Sequence, residues 1–253
     1  MIQPIEASVF ATVLAVAGAA LGVNLGKTLR ARLELLVHVA TGALLGITAF
    51  DILPEAKSLL SWPAFLGASL GGYALLWVVG RFVFYACPSC AIAHLDESSA
   101  LIRRGSLALL CIALGIHCLM DGVAIATGGA LSVRAETGAL AGVVVHKLPE
   151  GLALGLVLIG GRYSRSCSIG IASAVEGITI IGTLSGVFIT RVSGHLAVGL
   201  VFAIVGGSFV YLVLNALGGA LAHPAQMPRA RSLATEVVSF AVTGLLFWLA
   251  GRA

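Results

Sequence analysis

The sequence predicts an all-α integral membrane protein: one transmembrane domain over residues 1–253, a bundle of eight spanning helices with both termini outside. Three observations predict it. First, 59% of the residues are hydrophobic and only 10% charged, against roughly 25% charged in a soluble domain, and mean hydropathy is +1.06. Second, the apolar residues form continuous runs of spanning length, ~20 residues, without the alternation of barrel strands. Third, Lys and Arg sit in short connections and fall unequally on the two sides.

The runs are 7–26, 35–54, 64–86, 106–128, 136–160, 167–190, 194–218 and 232–251. No Lys or Arg precedes Lys27, so the first run lacks the basic n-region of a cleavable signal peptide. The second ends in ATGALLGITAFDILPEA. After the third comes the longest connection, 87–105, CPSCAIAHLDESSALIRRG, polar and containing Pro88. The fourth holds HCLMDGVAIA and the fifth VVVHKLPEGLALGL. The tight 190–194 turn predicts that the sixth and seventh pair as an antiparallel hairpin. The 32 glycines suit close helix–helix approach.

With the N-terminus outside, the inner side carries Lys27, Arg30, Arg32, Arg103, Arg104, Arg162, Arg165, Arg229 and Arg231, nine residues, against Lys57, Arg134, Arg191 and Arg252, four, outside. The positive-inside rule then favours this orientation. Trp62 and Trp248 become outer belt residues, and 87–105 becomes a cytosolic loop. The net charge of +4 is spread over such loops and gives no nucleic-acid surface, and five cysteines imply no disulfide framework. The bilayer is the expected partner, and the plasma (inner) membrane the expected location.

Most of the eleven acids lie at segment ends or in loops. Asp121, Glu150 and Glu176 lie instead near the centres of the fourth, fifth and sixth runs, at the depth of His117 and His146. Ionisable groups there are functional by default. His117 and Asp121 are i and i+4, as are His146 and Glu150, so each pair shares one helix face. HCLMDGVAIA and HKLPEGLALG repeat one pattern: His, three residues, acid, Gly. Two such faces opposed make a cage of imidazole and carboxylate, a donor set for Zn²⁺, Fe²⁺ or Mn²⁺. The competing reading is a structural salt-bridge network in which Lys147 neutralises Glu150 or Glu176. Pro149 removes one backbone hydrogen bond and frees the Val145 carbonyl near the site; an ordinary packing kink is the alternative.

Together HCLMDG, HKLPEG, AVEG around Glu176 and the ATGALLGITAFDILPEA run make the chain resemble the ZIP (Zrt/Irt-like) family of divalent-metal transporters. The likeness covers essentially the full length. It implies a metal site between the fourth and fifth helices with help from the sixth, with His117, Asp121, His146 and Glu150 as primary ligands. It also implies metal movement toward the cytosol by alternating access at a midplane site. The substrate would be a divalent transition metal, zinc foremost, with cadmium, iron and manganese as alternatives. No nucleotide is needed, and the sequence has no phosphate-binding loop. No resident cofactor and no enzymatic activity are expected, and a homodimer is one option for the assembly.

Two positions depart from the family pattern. Cys118 follows the first His, where Asn or Ser is common; as a thiolate it would be a soft ligand, as a thiol a small hydrophobe. Lys147 follows the second His, where an acid can support a second metal. A Lys ammonium cannot ligate, so Lys147 is read as occupying the second-metal position electrostatically, with Glu176 balancing it. Asp51 and Glu55 are candidates for the outer entrance, Glu55 with an ordinary interfacial charge as its alternative. In the loop, Cys87, Cys90, His94 and Asp96 offer a C-x-x-C with a nearby His, although a closed zinc site takes four ligands at defined spacing. His38 reads either as an exit-lining or as a packing residue. An intramembrane metallohydrolase and a metal-gated cation channel are the competing functions; no H-E-x-x-H run supports the first.

Overall fold

Lipid offers the backbone no hydrogen-bond partners, so a chain this apolar satisfies its amides internally as helices. The computed structural model describes residues 3–82, 104–222 and 228–250 and, within them, all side chains except those of 25–33, 82, 104–106, 219–222 and 250. Cys87, Cys90, His94 and Asp96 therefore lie outside the described residues. The elements are α1 (Gln3–Ile47), a π-helical turn (Thr48–Ile52), α2 (Leu53–Leu59), α3 (Trp62–Phe82), α4 (Arg104–Leu131), α5 (Val133–Gly160), α6 (Arg165–Glu176), α7 (Ile178–Val192), α8 (His195–Ala222) and α9 (Arg229–Ala250).

Among the described residues, eight stretches are long and apolar enough to cross a membrane, Gln3–Asn24, Glu34–Leu59, Trp62–Arg81, Leu107–Leu131, Val133–Gly160, Arg165–Val192, His195–Gly218 and Arg229–Leu249. They match the eight predicted runs to within a few residues. Their packing partners fix their relative directions. Gly151 and Gly155 of α5 lie on Ala15 and Ala19, so the first span of α1 runs parallel to α5. Gly138 lies on Asp51 and Gly142 on Ile47 and Leu44, so the second span runs antiparallel to α5 and α1 turns back between its two spans. Gly42 and Gly46 meet Glu236 and Phe240, which makes that span parallel to α9, while Gly115 and Gly186 set α4 parallel to α7 through Ile178 and Val123. Spans that cross alternately have these directions.

Two expectations change. The sixth run is two helices, since α6 ends at Glu176 and α7 begins at Ile178 with Gly177 between them. The predicted hairpin does not pack as one. Ser193 and Gly194 do join α7 to α8, but α7 has α4 as its main neighbour and α8 has α3. The reason is glycine on the α7 face: a Cβ on Gly182 would run into the Leu119 carbonyl oxygen of α4. Without a hydrophobic force between helices in lipid, such van der Waals contact is what holds them. Gly182→Val should lower stability by about 1–3 kcal/mol, read as a fall in Tm in detergent. Gly170→Ala, where a Cβ meets nothing within 4 Å, should leave it unchanged.

Two buried apolar clusters frame the bundle interior. One joins the second span of α1 to α4, α5 and α8 through Leu44, Ile47, Val143, Phe202 and Phe209. The other joins α4, α5 and α6 through Leu114, Leu154, Leu158 and Val175, and includes Cys118. Exposed side chains such as Leu70 and Trp77 on α3 and Val237 and Val238 on α9 give both helices an apolar outer face.

Candidate metal centre

Ser132 alone links α4 to α5. It caps α5, its side chain accepting a hydrogen bond from the Ala135 amide at 3.0 Å. This abrupt reversal lays the middles of α4 and α5 side by side. From α4 come His117, Cys118 and Asp121, from α5 His146, Lys147 and Glu150, and Glu176 is the last residue of α6. All seven are buried, His146 the most accessible at 8%.

Four of them form the cage expected from the paired His-x-x-x-acid spacing. Asp121 Oδ2 lies 3.6 Å from His117 Nε2 and 3.4 Å from His146 Nε2, and Glu150 Oε2 lies 2.9 Å from His117 Nε2. The imidazole rings are 5.3 Å apart between centroids. One donor atom from each of the four residues falls within 4.8 Å of all the others. A tetrahedral ion with Zn–N and Zn–O bonds near 2.1 Å has ligand–ligand edges of about 3.4 Å, so the cage is of that size.

A backbone carbonyl orients one of the two imidazoles. His146 Nδ1 lies 2.6 Å from the Gly142 carbonyl oxygen. A carbonyl only accepts, so Nδ1 donates and leaves the Nε2 lone pair directed at Asp121. A lone pair and a carboxylate oxygen at 3.4 Å repel unless a cation or proton lies between them.

Lys147 occupies the adjoining space. Its Nζ lies 2.6 Å from Glu150 Oε1, 2.9 Å from Asp121 Oδ2, 2.9 Å from Glu176 Oε2 and 3.2 Å from Cys118 Sγ. Cys118, Glu150 and Glu176 themselves form a second group of metal-ligand type. Cys118 therefore stands on the Lys147 side, apart from the two imidazoles. Glu150 belongs to both groups, with one oxygen toward His117 and the other toward Lys147. Three carboxylates against one ammonium leave a formal charge of −2.

Asp51 is buried at 1% and paired: its Oδ1 accepts from Arg134 Nε at 2.9 Å. Glu55, half-buried, accepts from Ser132 Oγ at 2.9 Å. His38 is buried and paired, its Nδ1 2.7 Å from Glu236 Oε1 across the α1–α9 contact. Sequence reasoning missed Arg134 and Glu236. Arg134 lies at a helix start and Glu236 two turns into α9, and each reads as an interfacial charge until its partner on a distant segment is known. Comparison with protein-family models finds no match to this chain, and comparison with curated proteins finds none either; what the chain itself carries is a buried His/carboxylate cluster in a bundle of membrane-spanning length.

Proposed function

We propose that the chain is a carrier for a divalent transition metal, zinc foremost, and that it works by alternating access at the His117/Asp121/His146/Glu150 cage, moving metal toward the cytosol. The observation that carries the proposal is the charge and shape of the cluster. Two imidazoles and two carboxylates converge within 4.8 Å of one another, with the His117–Asp121, His146–Asp121 and His117–Glu150 separations near the edge length of a tetrahedral ion, and the buried acids formally exceed the buried ammonium by two charges. One dication complements both features. Imidazole with carboxylate suits Zn²⁺, with Fe²⁺ and Mn²⁺ accommodated by the same donors. The resemblance of HCLMDG and HKLPEG to the ZIP family supports the same reading, as does the depth of the site near the middle of its helices.

In this reading Lys147 takes the place of a second metal, so one ion is carried at a time. A transporter also needs a hydrated ion to lose water in steps, and carboxylates that exchange partners provide for that. The chain is read as a carrier without hydrolytic activity.

Radiolabelled zinc uptake into proteoliposomes tests the proposal. The native chain should accumulate zinc with saturable kinetics, and His146→Ala and Glu150→Ala should each lose nearly all of it. Uptake at the native level by both variants would remove the cage from the path; non-saturable flux would turn the reading to a channel.

A further inference from the structure

Toward the N-terminal end of α5, the outer side in the orientation that the Lys and Arg distribution favours, the cage face belongs to a stripe at i, i+4 spacing: Arg134, Gly138, Gly142, His146, Glu150. Residues four apart stand above one another on one helix face. The face that bears two cage ligands thus continues outward as two positions without side chains and ends at an arginine. From Gly138 to His146 is eight residues, about 12 Å along the axis.

The neighbours of the two glycines show what fills that lane. At Gly142 a Cβ would touch Ile47 at 3.5 Å, Leu44 at 3.6 Å and Phe209 at 3.8 Å, an apolar collar just outside His146. At Gly138 it would run into Oδ2 of Asp51. That oxygen is buried and has no hydrogen-bond partner among the described residues. The other, Oδ1, is held by Arg134 Nε at 2.9 Å, while Arg134 Nη2 donates to the Phe50 carbonyl at 2.9 Å. The Asp51 side chain is fully enclosed, whereas that of Arg134 is 38% exposed. The guanidinium therefore stands between water and the carboxylate. The Asp51 backbone belongs to the π-helical turn. Such a turn carries one residue more than an α-turn and is often found at functional sites.

We propose that Arg134 is a displaceable gate cation: it neutralises Asp51 while the outer end of the lane is shut, and an arriving dication takes Asp51 over and releases it. The proposal rests on the transport reading above. A carboxylate this enclosed needs a partner at all times, because a buried charge left alone costs several kcal/mol. Arg134 and a metal ion are therefore alternatives at one position. A dication carries twice the charge and can use the unpartnered Oδ2 as well. A monovalent ion of equal charge gains less by the exchange, so the latch filters for divalent ions ahead of the cage.

The test reads accessibility of the lane and does not depend on uptake. Gly142→Cys places a thiol where a Cβ makes only ordinary contacts, in a chain whose five native cysteines are replaced by Ala. The reconstituted protein reacts with a membrane-impermeant thiol reagent added on the side of the N-terminus. Adding Arg134→Gln should speed modification at least about tenfold, as loss of a buried carboxylate's partner releases the closed form. Arg134→Lys should fall between. Asp51→Asn breaks the pair from the other side and should also speed modification, which guards against a folding defect peculiar to either variant. Equal rates in parent, Arg134→Gln and Asp51→Asn overturn the gate. Zinc uptake by the chain with native cysteines separates the two ideas. Faster labelling with no uptake by any form leaves the gate standing and removes transport; normal uptake with unchanged labelling does the reverse.

Discussion

Lys147→Ala should bind two zinc ions per chain where the native protein binds one, and it should depend on metal for its stability. The Lys147 ammonium is surrounded at 2.6–3.2 Å by Asp121, Glu150, Glu176 and Cys118, a position otherwise suited to a metal ion. Removing it deletes the only fixed cation, among the described residues, in contact with three buried carboxylates. Breaking a buried ion pair from one side costs about 3–5 kcal/mol, and here one ammonium serves three acids. In chelator the variant should therefore unfold at markedly lower temperature. Zinc should restore it, because Cys118, Glu150 and Glu176 can close on a second ion in the vacated space. A ligand at a thousand times its Kd returns about 4 kcal/mol, enough to offset the loss. Elemental analysis of purified protein gives the stoichiometry, and thermal denaturation with zinc or chelator gives the dependence. A stoichiometry unchanged from the native chain would sink the idea that Lys147 stands in for a metal.

Lys147 also shows what can be read in a sequence like this one. The eight spans were legible because the bilayer imposes run length, and apolar runs of that length have few other uses. The cage was legible because i, i+4 spacing fixes a shared face within each helix, and two equal patterns at one depth imply facing partners. Lys147 was legible as a departure between His146 and Glu150 and as a counter-charge for Glu150 or Glu176, but not as a contact of Asp121 and Cys118. Its simultaneous contact with α4 and α6 depends on crossing geometry that spacing along α5 does not encode. Arg134 was hidden for the same reason. Its partner Asp51 is 83 positions away, and a lone arginine beside a turn reads as an outer-side charge. The break at Gly177 was masked because the two helices together still make one stretch of spanning length, Arg165–Val192. The α7–α8 hairpin failed because turn length was weighed and the glycine face of α7 was not.

Glu150→Gln should weaken zinc binding at the cage by about two to three orders of magnitude, more than any other isosteric change in the site. Glu150 turns its two oxygens to different partners, with Oε2 2.9 Å from His117 Nε2 and Oε1 2.6 Å from Lys147 Nζ. A carboxamide has one acceptor and one donor end. If its oxygen faces Lys147, the amide nitrogen faces the imidazole nitrogen that should ligate, and the cage loses a charged donor. If its oxygen faces His117, the amide nitrogen points at an ammonium, donor against donor. Neither orientation serves both neighbours, whereas Asp121→Asn can keep an oxygen on the cage with Asp121 Oδ1 otherwise unpartnered. The magnitude follows from the about 3–5 kcal/mol of a buried pair broken from one side, at 1.4 kcal/mol for each factor of ten. Competition against a chromophoric chelator measures it, with Glu55→Gln, outside the cage and bonded to Ser132, expected near the native affinity. Glu150→Asp keeps the charge and shortens the reach, so it should hold Lys147 while losing His117, and its affinity should lie between those of Glu150→Gln and the native chain. An affinity for Glu150→Gln within about threefold of native would mean that the carboxylate holds Lys147 alone, and the metal would then have to be held by His117, Asp121 and His146 without it.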